Sequence, residues 1–144
     1  MLIVARKPNI LFLCTGNSCR SQMAEGWAKQ LKGEAANFYS AGVETHGLNP
    51  LAVKVMAEAG VDISEQRSQC VAELDHILFD WVFAVCDHAR QTCPEFPGEV
   101  KPVAASFDDP PALARQAGSE ADALAAYRRV RDEIREFVDR LELT

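Results

Sequence analysis

The segment from Asn9 to Leu31 constrains this chain most. An apolar run, Ile10 to Leu13, ends at Cys14, passes through a Gly16-Asn17 turn to Arg20, and enters a helix-like stretch from Gln22 to Leu31. A buried strand, a tight loop and a helix start therefore follow one another. Such a loop turns its backbone N–H groups inward, and the helix N-terminus adds partial positive charge. Arg20 supplies a planar fork able to grip two oxygens of a tetrahedral oxyanion. Thr15, Gly16, Asn17, Ser18, Cys19, Arg20 and Ser21 are thus the candidate cradle, and Cys14 is the candidate nucleophile. The same field is expected to favour the Cys14 thiolate, since cysteines at helix N-termini fall to about 3.5–7.5 from about 8.5. A core role for Cys14 is the plainer reading of a lone cysteine, but the turn and the arginine weigh against it. Zinc is disfavoured because Cys14, Cys19, Cys86 and Cys93 lack the short spacing of structural sites.

The 144 residues are read as one domain, 1–144, large enough for a core without disulfide staples. A formal charge of −6 argues against nucleic-acid and anionic-membrane partners, so an anion site must be positive locally. No apolar run approaches a membrane span, and the N-terminus has the wrong order for a signal peptide. Five cysteines without such a signal point to the reducing cytoplasm. Strand and helix signals alternate, which predicts an α/β fold: a four-stranded parallel sheet with helices on both faces. The expected strands lie near 9–13, 37–41, 81–85 and 103–107. The expected helices are 20–32, one from Asn49-Pro50 to Gly60, a short one at 71–77, and one capped by Ser119 that runs to about Leu141. Pro110–Gly118 reads as a mobile connection. On this plan Cys14, Cys86 and the pair Asp108-Asp109 follow strands one, three and four, on the sheet edge where such folds bind ligands.

Cys86 and Cys93 enclose six residues and precede Pro94. In a helix they would stand about 10.5 Å apart along the axis, beyond the Cα separation of about 4.4–6.8 Å that a disulfide tolerates. Pairing them would require that segment to unwind. Three sulfurs near an oxyanion suggest a reduction. Cys14 attacks the central atom, Cys86 attacks Cys14 and expels the reduced product, and Cys93 attacks Cys86. An external dithiol then resets the pair. Cys70 reads as structural. His46 reads as a surface or hydrogen-bonding residue, and solvent exposure is the plainer reading of His88.

The stretches from Cys14 to Trp27 and from Tyr39 to Gly47, the Cys86/Cys93-Pro94 spacing, Phe107 to Pro110 and Arg129 to Ile134 together resemble the thioredoxin-coupled arsenate reductases of the low-molecular-weight protein tyrosine phosphatase superfamily. The resemblance implies arsenate as substrate, phosphate or sulfate as its mimics, thioredoxin as reductant, a monomer, and no cofactor or metal. It implies Cys14 as nucleophile, Arg20 as clamp, Cys86 and Cys93 as relay, and Asp109 as the acid for the leaving oxygen. Asn17 would hold the loop and Ser21 would hydrogen-bond the thiolate. Some relatives bind potassium through residues matching Asn17, Glu25, Ser40 and a carboxylate; here Gln69 stands in the last place, which counts against a strong cation site. The segment after Pro110 is longer than the family pattern.

A phosphatase acting on phosphate monoesters is the main rival reading. The residues after Asp109-Pro110 offer no aromatic to stack on a phenyl ring, and such an enzyme has no use for Cys93. A non-catalytic thiol sensor or oxyanion-binding module is the other alternative.

Overall fold

The computed structural model describes residues 7–86 and 103–142. Four parallel strands form its sheet: β1 (Asn9–Cys14), β2 (Asn37–Gly42), β3 (Trp81–Ala84) and β4 (Val103–Ala104), in the spatial order β2-β1-β3-β4. Around it lie α1 (Arg20–Lys32), α2 (Pro50–Glu58), a single 3-10 turn at Val71–Leu74, α3 (Pro110–Arg115) and α4 (Glu120–Asp139). The central strand β1 is buried at every position from Ile10 to Cys14. Side chains alternate between faces along a strand, so both faces of the sheet centre are covered, as a parallel sheet requires. The Phe12 ring sits 6.2 Å from that of Phe38 and 6.0 Å from that of Phe83, linking three adjacent strands.

Helix α1 packs against β1, β2 and α4. Gly26 is mid-helix, where glycine costs up to about 1 kcal/mol relative to alanine. Its reason is contact: a Cβ there would lie 2.5 Å from Ile63 Cγ2. Trp27 closes the other side, donating from Nε1 to the Arg131 carbonyl at 3.1 Å beneath the Arg135 guanidinium. Helix α4 buries Tyr127, Val130, Ile134 and Val138, a stripe at helical spacing. Ser119 accepts from the Asp122 N–H and starts it, and Asn49 accepts from Leu51 and Ala52 to start α2.

The expected strands, helices and α/β class are found, with corrections at the edges. Regular pairing in β4 ends at Ala104, although Ala105 N–H to Ala84 O and Phe107 N–H to Val85 O carry the chain alongside β3. β3 closes at Ala84, α2 at Glu58, and the 71–77 helix shrinks to one 3-10 turn. The expected mobile connection at Pro110–Gly118 is instead mostly helical. Pro110 and Pro111 suit the first turn of α3, and Pro110 is buried, with Leu113 and Ala114 packed on the core. His88 and Cys93, with the pairing expected of the latter, lie outside the described residues.

Candidate active site

The chain crosses from β1 to β2 on one side and to β3 on the other, so a crevice opens at the carboxyl end of β1. Residues 14–20 fill it. The carbonyls of residues 15–19 are all engaged. Glu44 N–H donates to Thr15 O at 3.1 Å, His46 N–H to Gly16 O at 2.9 Å, and Asn49 N–H to Ser18 O at 3.0 Å. Gln22 Nε2 donates to Asn17 O, and Met23 N–H to Cys19 O. With the carbonyls held outward, the N–H groups face the other way: those of Gly16, Ser18, Cys19 and Arg20 donate to nothing among the described residues. Helix α1 has no side-chain cap and no acid in its first turn, which leaves its positive end open.

Asn17 sits at φ 46°, a left-handed conformation in which asparagine is among the tolerated residues. Its side chain locks the loop, donating to Ser21 Oγ at 2.9 Å and accepting from Gln22 Nε2 and Gln69 N–H. Ser21 therefore contacts Asn17 rather than the Cys14 sulfur expected from sequence. A Cβ on Gly16 would run into the His46 imidazole, so any larger residue there would require that exposed ring to move.

Arg20 opens α1 and reaches across the loop. Its Nη1 donates to Phe107 O at 3.0 Å, Nη2 stands 3.6 Å from Asp109 Oδ1, and Nε is buried with no partner among the described residues. A buried guanidinium donor without an acceptor is costly, and an oxyanion in the loop would satisfy it. Asp109 is the N-cap of α3 but its carboxylate does not cap the helix. The structure separates the two acids that sequence left ambiguous: Asp109 lines the cleft, whereas Asp108 is tied to Arg129 Nη2 at 2.9 Å.

Cys14 and Cys86 are both buried and are hydrogen-bonded to each other, and Thr15 Oγ1 lies 3.3 Å from Cys86 Sγ. The Cys14 thiol is raised, not lowered as expected. The Cys86 thiol is the largest cause and burial the next, against the downward pull of Arg20 and the Thr15 N–H. Two touching thiols resist carrying two charges, so whichever ionises first suppresses the other. Cys19 is pushed up to about 12, chiefly by burial.

Burial of the neutral Cys19 thiol has a consequence for stability. The unfolded chain loses this proton near pH 8.5 while the folded chain keeps it, so stability falls as pH rises above that point, by about 1.4 kcal/mol per unit. Cys19→Ala is expected to lose about 2 kcal/mol less than wild type between about pH 8 and 10 in denaturant titrations. Equal losses in both proteins would contradict this account.

The cleft measures about 570 Å3. Besides the loop and Asp109, His46, Asn49, Pro111 and Arg115 line it. Sequence reasoning assigned none of these four to the site. Asn49 was legible only as a helix cap, and Pro111 and Arg115 lay in the supposed mobile stretch. Among the described residues no group of three or more potential metal ligands is gathered. The positions matching a potassium site do not fit a cation. Glu25 accepts from Ser40 Oγ and pairs with Lys29 Nζ, and Gln69 Nε2 donates to Ser40 O. An ammonium already supplies the positive charge there. No described helix is long and apolar enough to cross a membrane.

Comparison with known proteins gives a consistent result. The family model described as low molecular weight phosphotyrosine protein phosphatase matches residues 9–143. An arsenate reductase of Bacillus licheniformis is 52% identical over 139 residues, covering 96% of this chain and 97% of its own. A solved structure of an arsenate reductase in oxidized state superposes with a TM-score of 0.76 at 31% identity, covering 92% and 95% of the two chains. The low molecular weight protein tyrosine phosphatase from T. tengcongensis gives 0.70 at 27% identity, with 92% and 96% covered. An oxyanion-shaped loop at the end of β1 and a model match over nearly the whole chain lead to one assignment: the chain belongs to the low molecular weight phosphotyrosine protein phosphatase family.

Proposed function

We propose that this protein reduces arsenate to arsenite in the cytoplasm through a three-cysteine relay reset by thioredoxin. The observation that carries the reading is the contact between Cys14 and Cys86 beside a clamp whose Nε lacks an acceptor. A hydrolase working through Cys14 alone has no need of a second thiol on its nucleophile. The relatives named arsenate reductase support the same substrate.

Arsenate would sit with its oxygens on the N–H groups of residues 16 and 18–20 and on Arg20. Cys14 Sγ attacks As(V), and one oxygen leaves as water with a proton from Asp109. Cys86 thiolate then attacks the Cys14 sulfur. The As–S bond breaks, its electron pair stays on arsenic, and arsenite departs while a Cys14–Cys86 disulfide forms. Cys93 thiolate attacks Cys86, freeing Cys14 and leaving a Cys86–Cys93 disulfide. Thioredoxin supplies the two electrons that reopen it. Thr15 holds Cys86 on its target throughout. No Phe, Tyr or Trp is among the described lining residues of the cleft.

The test is arsenate-dependent NADPH oxidation with thioredoxin and thioredoxin reductase. Sustained turnover is expected in wild type. Cys93→Ser is expected to release about one arsenite per protein and then stop, because chemistry up to the first disulfide needs only Cys14 and Cys86. Normal turnover by Cys93→Ser, or hydrolysis of aryl phosphates without arsenite formation, would refute the relay.

A further inference from the structure

Helix α3 carries Pro111 and Arg115 at i and i+4, on one face, and both line the cleft while Leu113 and Ala114 pack on the core. Arg115 is exposed and has no ion-pair partner among the described residues, unlike Arg67, Arg128, Arg129 and Arg131. The charge balance of the cleft gives this a meaning. Arg20 is partly offset by Asp109 and the chain as a whole carries −6, so an unpaired cation at the mouth adds attraction for a dianion beyond what the loop N–H groups and the start of α1 supply at close range.

We infer that Arg115 is a second anion-binding residue of this cleft, an outer cation that draws a tetrahedral dianion in and holds it at the mouth before Arg20 and the loop take it. This rests on the oxyanion reading of the loop. Arg115 is a substrate-capture residue here, distinct from the groups that make and break bonds. The buried start of α3 at Pro110 keeps its position fixed relative to Asp109.

Two measurements test this: the Kd of inorganic phosphate by calorimetry, and kcat and KM for arsenate, each at low and high salt. Arg115→Ala is expected to weaken phosphate binding and raise KM by about three- to tenfold at low salt, with kcat nearly unchanged. Near 1 M salt, where the Debye length is about 3 Å, the difference should shrink below about twofold. Arg115→Lys should restore most of the low-salt affinity, and Arg115→Glu should lose more than alanine. Arg115→Ala binding phosphate like wild type at low salt would overturn the inference, as would equal weakening at both salts. Wild type failing to bind phosphate at all would overturn the oxyanion reading itself, a separately visible result.

Discussion

Cys14→Ser is expected to abolish arsenite formation, with a loss on the order of 10⁴-fold or more even in a single turnover. The serine hydroxyl is a far weaker nucleophile than a thiolate, and its adduct with arsenic offers Cys86 no sulfur to attack. Oxyanion binding should survive, because the inward N–H groups and Arg20 are untouched by the substitution. The variant should therefore bind inorganic phosphate within a few-fold of wild type while producing no arsenite. That split separates loss of chemistry from loss of the loop. Arsenite release by Cys14→Ser at more than a few per cent of the wild-type rate would show that another group starts the reaction. Cys86, hydrogen-bonded to Cys14, and Cys19, another sulfur of the cleft, are the alternatives.

Much of this site was readable from residues alone, for a physical reason. A buried parallel strand that ends in a cysteine, a Gly-Asn turn and a helix-opening arginine leave few geometries open, so the loop at the end of β1 could be expected without coordinates, although Asn17 and Ser21 are buried behind it and do not line the cleft. The convergence of Cys14, Cys86 and Asp109 followed from strand order, since all parallel strands present their carboxyl ends to one edge. What sequence could not show depends on contacts between distant segments. Glu44, His46 and Asn49 each turn a loop carbonyl outward, an arrangement that no local pattern encodes. The direction of the Cys14 shift was missed for the same reason: a helix N-terminus argues for a lowered thiol, but the neighbour that raises it stands 72 positions away. Asp108 and Asp109 became distinct only once Arg129 on α4 was seen to take the first.

The neighbour effect leads to the other large expectation. In Cys86→Ala the largest upward influence on Cys14 is removed, leaving Arg20 and the Thr15 N–H to pull against burial. Cys14 should become more acidic than in wild type, seen as earlier growth of thiolate ultraviolet absorbance and faster alkylation at neutral pH. Adduct formation should then be as fast as in wild type or faster. Release should nevertheless fail, because arsenic leaves as arsenite only when a second thiolate takes the Cys14 sulfur and returns the bonding pair to it. Arsenite formation should fall about 10³-fold or more, with arsenic retained on the protein and discharged by added dithiol. A Cys14 thiol that is no more acidic in the variant would mean the Cys14–Cys86 contact does not set its ionisation. Undiminished arsenite release would mean Cys86 is not the second thiol, and the relay would have to be redrawn around a different sulfur.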